Sequence, residues 1–395
     1  MSTYAELLIT NNELKEAIVS VEAYRHRLAR YQDLLDGRDV ASEDLSKAMS
    51  FALESIDPAF SIKEGGIITL RALKDALIRA AKAARDIVRM VIETLTAFYV
   101  KFTGSISHVR KTQQKLSRRL AKLGNRTTNT RLTVSGLQRL SINGEFIGDR
   151  PDNLLDIKEV TNYILMTYPK MTSNIARNIS RQALNILDNQ GEDATTEIID
   201  ELLQSFADIV RRDFKAPPGD EPLKKGETTS TGTHRSYILP ANRAFVYTDA
   251  DHIATSVTNK QSALEMVRNT FTMEFTELQI NAIDSTERDI EVPSVTTLSD
   301  IVTGIANILT IAERAKQGEV EYKTVKVVVD DSIRQLAERS ELLGRANGEA
   351  INMLAEISRK LAEPVGNYTH WLAVTLKVWL TFVSHCITHY ENEGI

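Results

Sequence analysis

Two imidazoles sit one helical turn apart near the end of the chain, at His385 and His389 in SHCITHY, with Cys386 between them. An i, i+4 pair presents both rings on one helix face, as two metal ligands require. A metal centre needs a third ligand, and Cys386 projects from a different side of the same turn. A histidine pair near a helix C-terminus, where the dipole favours positive charge, accounts for these residues without a metal. Asp249-Ala250-Asp251 followed by His252 offers carboxylates to a divalent cation, but the further acids and the glycine of a calcium loop are missing, so it reads as a solvated turn. There is no phosphate-cradling P-loop, no G-x-S-x-G elbow, no H-E-x-x-H and no C-x-x-C. With Cys386 the only cysteine, a Cys-rich zinc site and an intrachain disulfide are excluded, and a reducing compartment is the natural setting. No catalytic residue, metal or cofactor is assigned, and the chain reads as non-enzymatic.

Charge, by contrast, is distributed unevenly. The 395 residues carry 48 Lys and Arg against 53 Asp and Glu, a net charge of −5. Residues 65–131 alone hold 15 basic and 3 acidic residues, or +12, which leaves −17 for the remainder. The densest stretch is SISHVRKTQQKLSRRLAKL, 105–123. An exposed helix ordinarily mixes signs, because opposite charges one turn apart gain a few tenths of a kcal/mol. Here Lys111 and Lys115, Lys115 and Arg118, and Arg118 and Lys122 are like-charged neighbours. A solvated helix face is the plain account; an anionic neighbour would relieve the repulsion, and phosphates would do so with counterion release. Arg110, Lys111, Lys115, Arg118, Arg119 and Lys122 are therefore the candidate phosphate contacts. Without a groove-reading signature, those contacts would be independent of base sequence.

The elements that must position these cations are mostly helices. Nine prolines and 18 glycines are few for the length. Apolar spacing predicts helices over 3–36 and 42–55, then a break at Gly65-Gly66. From Leu73 to Phe102 the apolar residues step by three and four in one stripe, and Ile106, Val109, Gln113, Leu116, Leu120 and Leu123 continue as a heptad seam with one polar position. Residues 67–123 are thus one long helix or two that meet at Gly104; one glycine costs only about 1 kcal/mol and does not decide. Asn143-Gly144 between LSI and EFI is a type I′ hairpin signal. Helices are expected over 153–168, 171–189 and 194–213, a mobile loop over 215–236, and one or two strands in SYILPANRAFVYTD. QSALEMVRNTFTMEFTELQINAI reads as helical, as do 296–316, 320–343, 346–362 and 364–390. VKVVVDDSI carries a β-branched run but stays helical by its flanks. Trp371 and Trp379, two turns apart, suit packing.

The fold class is mainly α, with a small β-hairpin element and a helical C-terminal part, α+β taken as a whole. Four regions follow: 1–64, 65–124, 125–292 and 293–395. The N-terminus lacks the basic and apolar regions of a signal peptide. The apolar run 371–387 is short for a membrane span and contains Lys377, so a buried or interfacial helix is expected.

The order of parts resembles a known family. LKDALIRAAKAARDIVRMVIETLTAFYVKF leads into HVRKTQQKLSRRLAKL, then the strand-turn-strand LSINGEFIGD, then helices. This resembles the internal head proteins of large tailed bacteriophages, most closely over 50–150. The resemblance implies a virion structural protein in the capsid interior, present in the host cytoplasm during assembly, with packaged genomic DNA or acidic virion proteins as partners and delivery to the host as a further expectation. It also implies trimming by a prohead protease after a small residue, any residue and Glu. Ala52-Leu53-Glu54, just before Gly65-Gly66, is the expected site; Ala41-Ser42-Glu43 and Ala263-Leu264-Glu265 fit the same loose pattern. Two other readings compete. Helix 67–103, with Phe98, Tyr99 and Phe102 opposite its cations, could lie on a membrane surface. The heptad seam could instead make a coiled-coil homo-oligomer.

Overall fold

The computed structural model describes residues 70–135, 137–189, 195–224, 232–256, 271–281, 287–315 and 345–393, with isolated positions between 13 and 17, 267 and 270, and 320 and 335. The expected helices over 3–36 and 42–55, and the Ala52-Leu53-Glu54 site, lie outside the described residues apart from helical positions at Glu13, Glu16 and Ala17.

Helix α1 runs without interruption from Leu70 to Leu123, roughly 80 Å at 1.5 Å per residue. Gly104 does not break it. The glycine faces open space, and its neighbours Phe102 and Ile106 are both buried, so packing on either side outweighs the propensity cost. The helix stops at Gly124, whose φ of +65° is the left-handed terminator that glycine adopts freely.

The second long element is α7, Arg345–Glu393. Two helices were expected here, 346–362 and 364–390, and a proline inside a helix lacks an N–H and crowds the carbonyl four residues back. The helix instead passes through Pro364. Residues 353–362 are buried around its whole circumference, and that packing carries it across the missing bond. Even its charges are buried. Arg359 donates to Glu356 and Glu363 on the same helix, and Lys360 donates to the backbone oxygens of Val267 and Phe271.

Helix α7 packs lengthwise on α1, and both meet α6, Val295–Ala312. Ser294 caps α6 by accepting from the Thr297 amide. Helix α2, Asn153–Asn162, lies on α6, and the pair α3, Tyr168–Asn189, and α4, Thr195–Asp213, lies on α7. The expected gap between helices 153–168 and 171–189 is absent. A π turn, Tyr163–Thr167, joins α2 to α3, with the Tyr168 amide donating five residues back to Tyr163. That wider turn falls immediately before Pro169, where a regular turn would meet the proline ring. By length and composition α6 and the Met353–Asn392 part of α7 could cross a membrane. In the fold both are core helices, with Ile301, Ile305, Leu376 and Trp379 buried.

The β structure is small and antiparallel. Strand β1, Arg131–Ser135, pairs with β8, Glu287–Glu291. Strands β2, Ser141–Ile142, and β3, Glu145–Phe146, form the expected hairpin, with φ of +50° at Asn143 and +81° at Gly144, as a type I′ turn demands. A second tight turn went unrecognised in the sequence: Ala241 and Asn242 have φ of +61° and +53°. The two turns dock, since the Asn242 side chain accepts from the Asn143 amide at 2.7 Å. A four-stranded sheet runs β4, Glu221–Pro222; β5, Thr233–Arg235; β6, Arg243–Thr248; β7, Met273–Glu277. It corrects two expectations. The segment read as a mobile loop, 215–236, contributes β4 and β5. TMEFTE is a strand rather than helix, because Met273 and Phe275 alternate inward, and Phe275 packs edge-to-face on Tyr368 and at a tilt on Trp371 of α7. A short helix α5, Ala250–Ser256, follows β6. In VKVVVDDSI the described residues Val327–Val329 are helical, as expected.

Candidate functional site

The C-terminal half of α1 displays the six candidate cations, and the fold divides them. At 100° per residue, the buried seam Ile106, Val109, Gln113, Leu116, Leu120 and Leu123 fills one side of the helix. Lys111, Lys115, Arg118 and Lys122 fall within about 60° of one another directly opposite that seam. All four are exposed. Arg110 and Arg119 lie on the two edges of the seam instead, and each reaches down to a neighbouring helix.

Arg110 reaches α6 and the residue that ends it. Its Nε and Nη2 donate to the Glu313 carboxylate at 2.8 and 3.1 Å, and its remaining donors reach the Ala306 carbonyl and the Thr310 hydroxyl. Arg119 does the same to α7, donating to Glu391 at 3.1 and 2.6 Å and to Ser384 and Thr388. These are fork-on-fork guanidinium–carboxylate pairs, the geometry that arginine alone offers. The Arg119 bond holds the Glu391 carboxyl below its ordinary range, and Glu391 raises Arg119 in turn. The buried seam sets the rotation of α1 and turns the other four cations outward, and the two arginines tie its edges to α6 and α7.

Among the described residues, no carboxylate lies within ion-pairing distance of Lys111, Lys115 or Arg118; Lys122 adds only a through-space contribution to the lowering of Glu391. There is no Asp or Glu in the sequence between Glu93 and Glu145. A groove of about 400 Å³ follows the row, lined by Lys111, Gln114, Lys115, Arg118, Arg119 and Lys122. The row runs over eleven residue steps, roughly 16 Å. Gln113, the polar position of the seam, is buried, with its amide 3.5 Å from the Val302 carbonyl.

Other candidate chemistry is not assembled. His389 Nε2 lies 2.6 Å from the Thr130 hydroxyl, while His385 is exposed and Cys386 is buried. Asp251 accepts from Arg211. Among the described residues no group of three His, Cys, Asp or Glu side chains could hold a metal. A cavity of about 500 Å³ between the π turn, the loop 216–218 and Ile311 is lined by Lys158, Glu159, Asn162, Tyr163 and Thr167. The apolar residues invoked for a membrane surface, Phe98, Tyr99 and Phe102, and the seam residues invoked for a coiled coil, Leu116 and Leu120, are all buried within the chain. Sequence reasoning missed Glu313 and Glu391, and no local signal could have found carboxylates 203 and 272 residues from their arginines.

A family model for phiKZ-like phage internal head proteins matches residues 1–385. The chain belongs to that family. It is a bacteriophage internal head protein, a mainly helical structural component located inside the virion head. No curated protein and no solved structure matches it.

Proposed function

We propose that this internal head protein is a non-enzymatic component that lies against packaged double-stranded DNA through Lys111, Lys115, Arg118 and Lys122, without reading base sequence. One observation carries the reading: four like charges share a narrow arc directly opposite a buried seam, and the two nearby arginines that do find carboxylates are the two on the seam's edges. Self-repulsion along the row has no internal remedy among the described residues, and a line of phosphates supplies one. Residence in the host cytoplasm during assembly, and processing after Glu54, belong to the same proposal.

Retention of the purified protein on duplex DNA tests it. Four phosphate contacts give a slope of about −3.6 in log K against log salt, or a loss of roughly 150-fold between about 50 and 200 mM. The quadruple variant Lys111→Gln, Lys115→Gln, Arg118→Gln, Lys122→Gln should bind more weakly and with a shallower slope. An unchanged slope would remove the row from the interface. Binding of an acidic protein with no binding of DNA would assign the row to a protein partner instead.

A further inference from the structure

Helix α3 carries a second row built to the same plan. Lys170, Asn174, Arg177 and Arg181 stand at i, i+4, i+7 and i+11, the spacing of Lys111, Lys115, Arg118 and Lys122 on α1. On the helical wheel they again fall within about 60°. The opposite side is filled by Met171, Ile175, Ala176, Ile179, Ala183 and Ile186, all buried. Lys170, Asn174 and Arg181 are exposed and Arg177 is half-buried. Among the described residues none of the three cations has an ion pair. Asp213, the carboxylate that approaches this helix from α4, accepts from Asn178 and Arg212. The helix has a single acid, Asp188, seven residues beyond Arg181.

The two rows belong to different helices that both pack on α7, and each is on the side of its helix turned away from its own buried face. We infer that Lys170, Arg177 and Arg181 form a second phosphate-binding row, and that the protein holds two DNA duplexes at once, one on α1 and one on α3. This rests on the reading of the α1 row as a DNA contact and goes beyond it: it makes the protein a cross-link between neighbouring duplexes. Three cations give a salt slope of about −2.7 for the second duplex, against about −3.6 for the first. The second duplex should therefore be released at lower salt than the α1 row would release its own.

The full chain is loaded on an immobilised short duplex, and capture of a fluorescent second duplex is measured as salt is raised. Light scattering in parallel reports the protein's mass. The triple variant Lys170→Gln, Arg177→Gln, Arg181→Gln replaces surface residues with a good helix former, and circular dichroism checks its fold. It should stay on the immobilised duplex with an unchanged slope and capture the second duplex at least about tenfold less well. Three results overturn the inference: a wild-type protein that captures no second duplex, a triple variant that captures it undiminished, or a triple variant whose slope on the first duplex falls by about three. The last would place both rows on one duplex. Failure of the α1 reading is seen separately, as a quadruple α1 variant that stays on the immobilised duplex with its slope intact.

Discussion

Gly366 is where α7 meets α1, and replacing it tests the packing that orients the cation row. A Cβ built on Gly366 would lie 2.6 Å from Phe98 Cε2 and 2.9 Å from Cδ2 and Cζ. Real Cβ atoms do not approach so closely, and Phe98, 3 % exposed, has little room to swing aside. Gly366→Ala therefore sets two effects against each other. Alanine in a helix interior gains about 1 kcal/mol over glycine, whereas overpacking a filled core costs about 1–3 kcal/mol. The clash should win, for a net loss of up to about 2 kcal/mol. Shortening the ring removes the clash. In a Phe98→Leu background, itself destabilised by the lost aromatic burial, Gly366→Ala should be neutral or stabilising by up to about 1 kcal/mol. Urea unfolding of the wild type, both single variants and the double variant gives the four midpoints needed, provided the slopes agree. A stabilising Gly366→Ala in the wild-type background would mean that α1 and α7 do not approach here, and the rotation of α1 argued above would lose its support.

Two further predictions concern the ends of the same helix pair. Removing the Arg119–Glu391 pair by Glu391→Gln should cost less than about 1 kcal/mol, since the pair is partly solvated. Because Glu391 is held below the ordinary carboxylate range, its contribution is present at neutral pH, starts to fall as pH enters that range and is lost as pH passes down through its lowered pKa; thermal unfolding of both proteins from about pH 7 to pH 3 should show the difference narrowing. A difference that grows on acidification would contradict the assignment. Cys386 is buried, and burial pushes its thiol up to about 12, so a thiol reagent should leave the native protein unmodified and react once urea unfolds it. Rapid labelling of the native chain would show that α7 opens at its C-terminal end.

Much of this molecule was legible in the residues themselves. The three-and-four stepping from Val91 through Leu123 marks the face of α1 that packs, because an amphipathic helix has only one side it can bury. Asn143-Gly144 dictates its own turn, since two successive positive φ values suit few other residues. The cation row follows from the same periodicity: whatever lies opposite a buried seam must face outward. Other features were decided by partners remote in the chain. TMEFTE became a strand because β6 and α7 lie beside it, and its alternation is too short to announce that alone. Pro364 does not end α7, because a shell of buried contacts outweighs one missing hydrogen bond. Six cations looked equivalent in the sequence. Tertiary structure separated them, by bringing Glu313 and Glu391 to the two on the seam's edges and leaving four directed at solvent. Local spacing determines which side of a helix a charge is on; only the folded chain determines whether a carboxylate is waiting there.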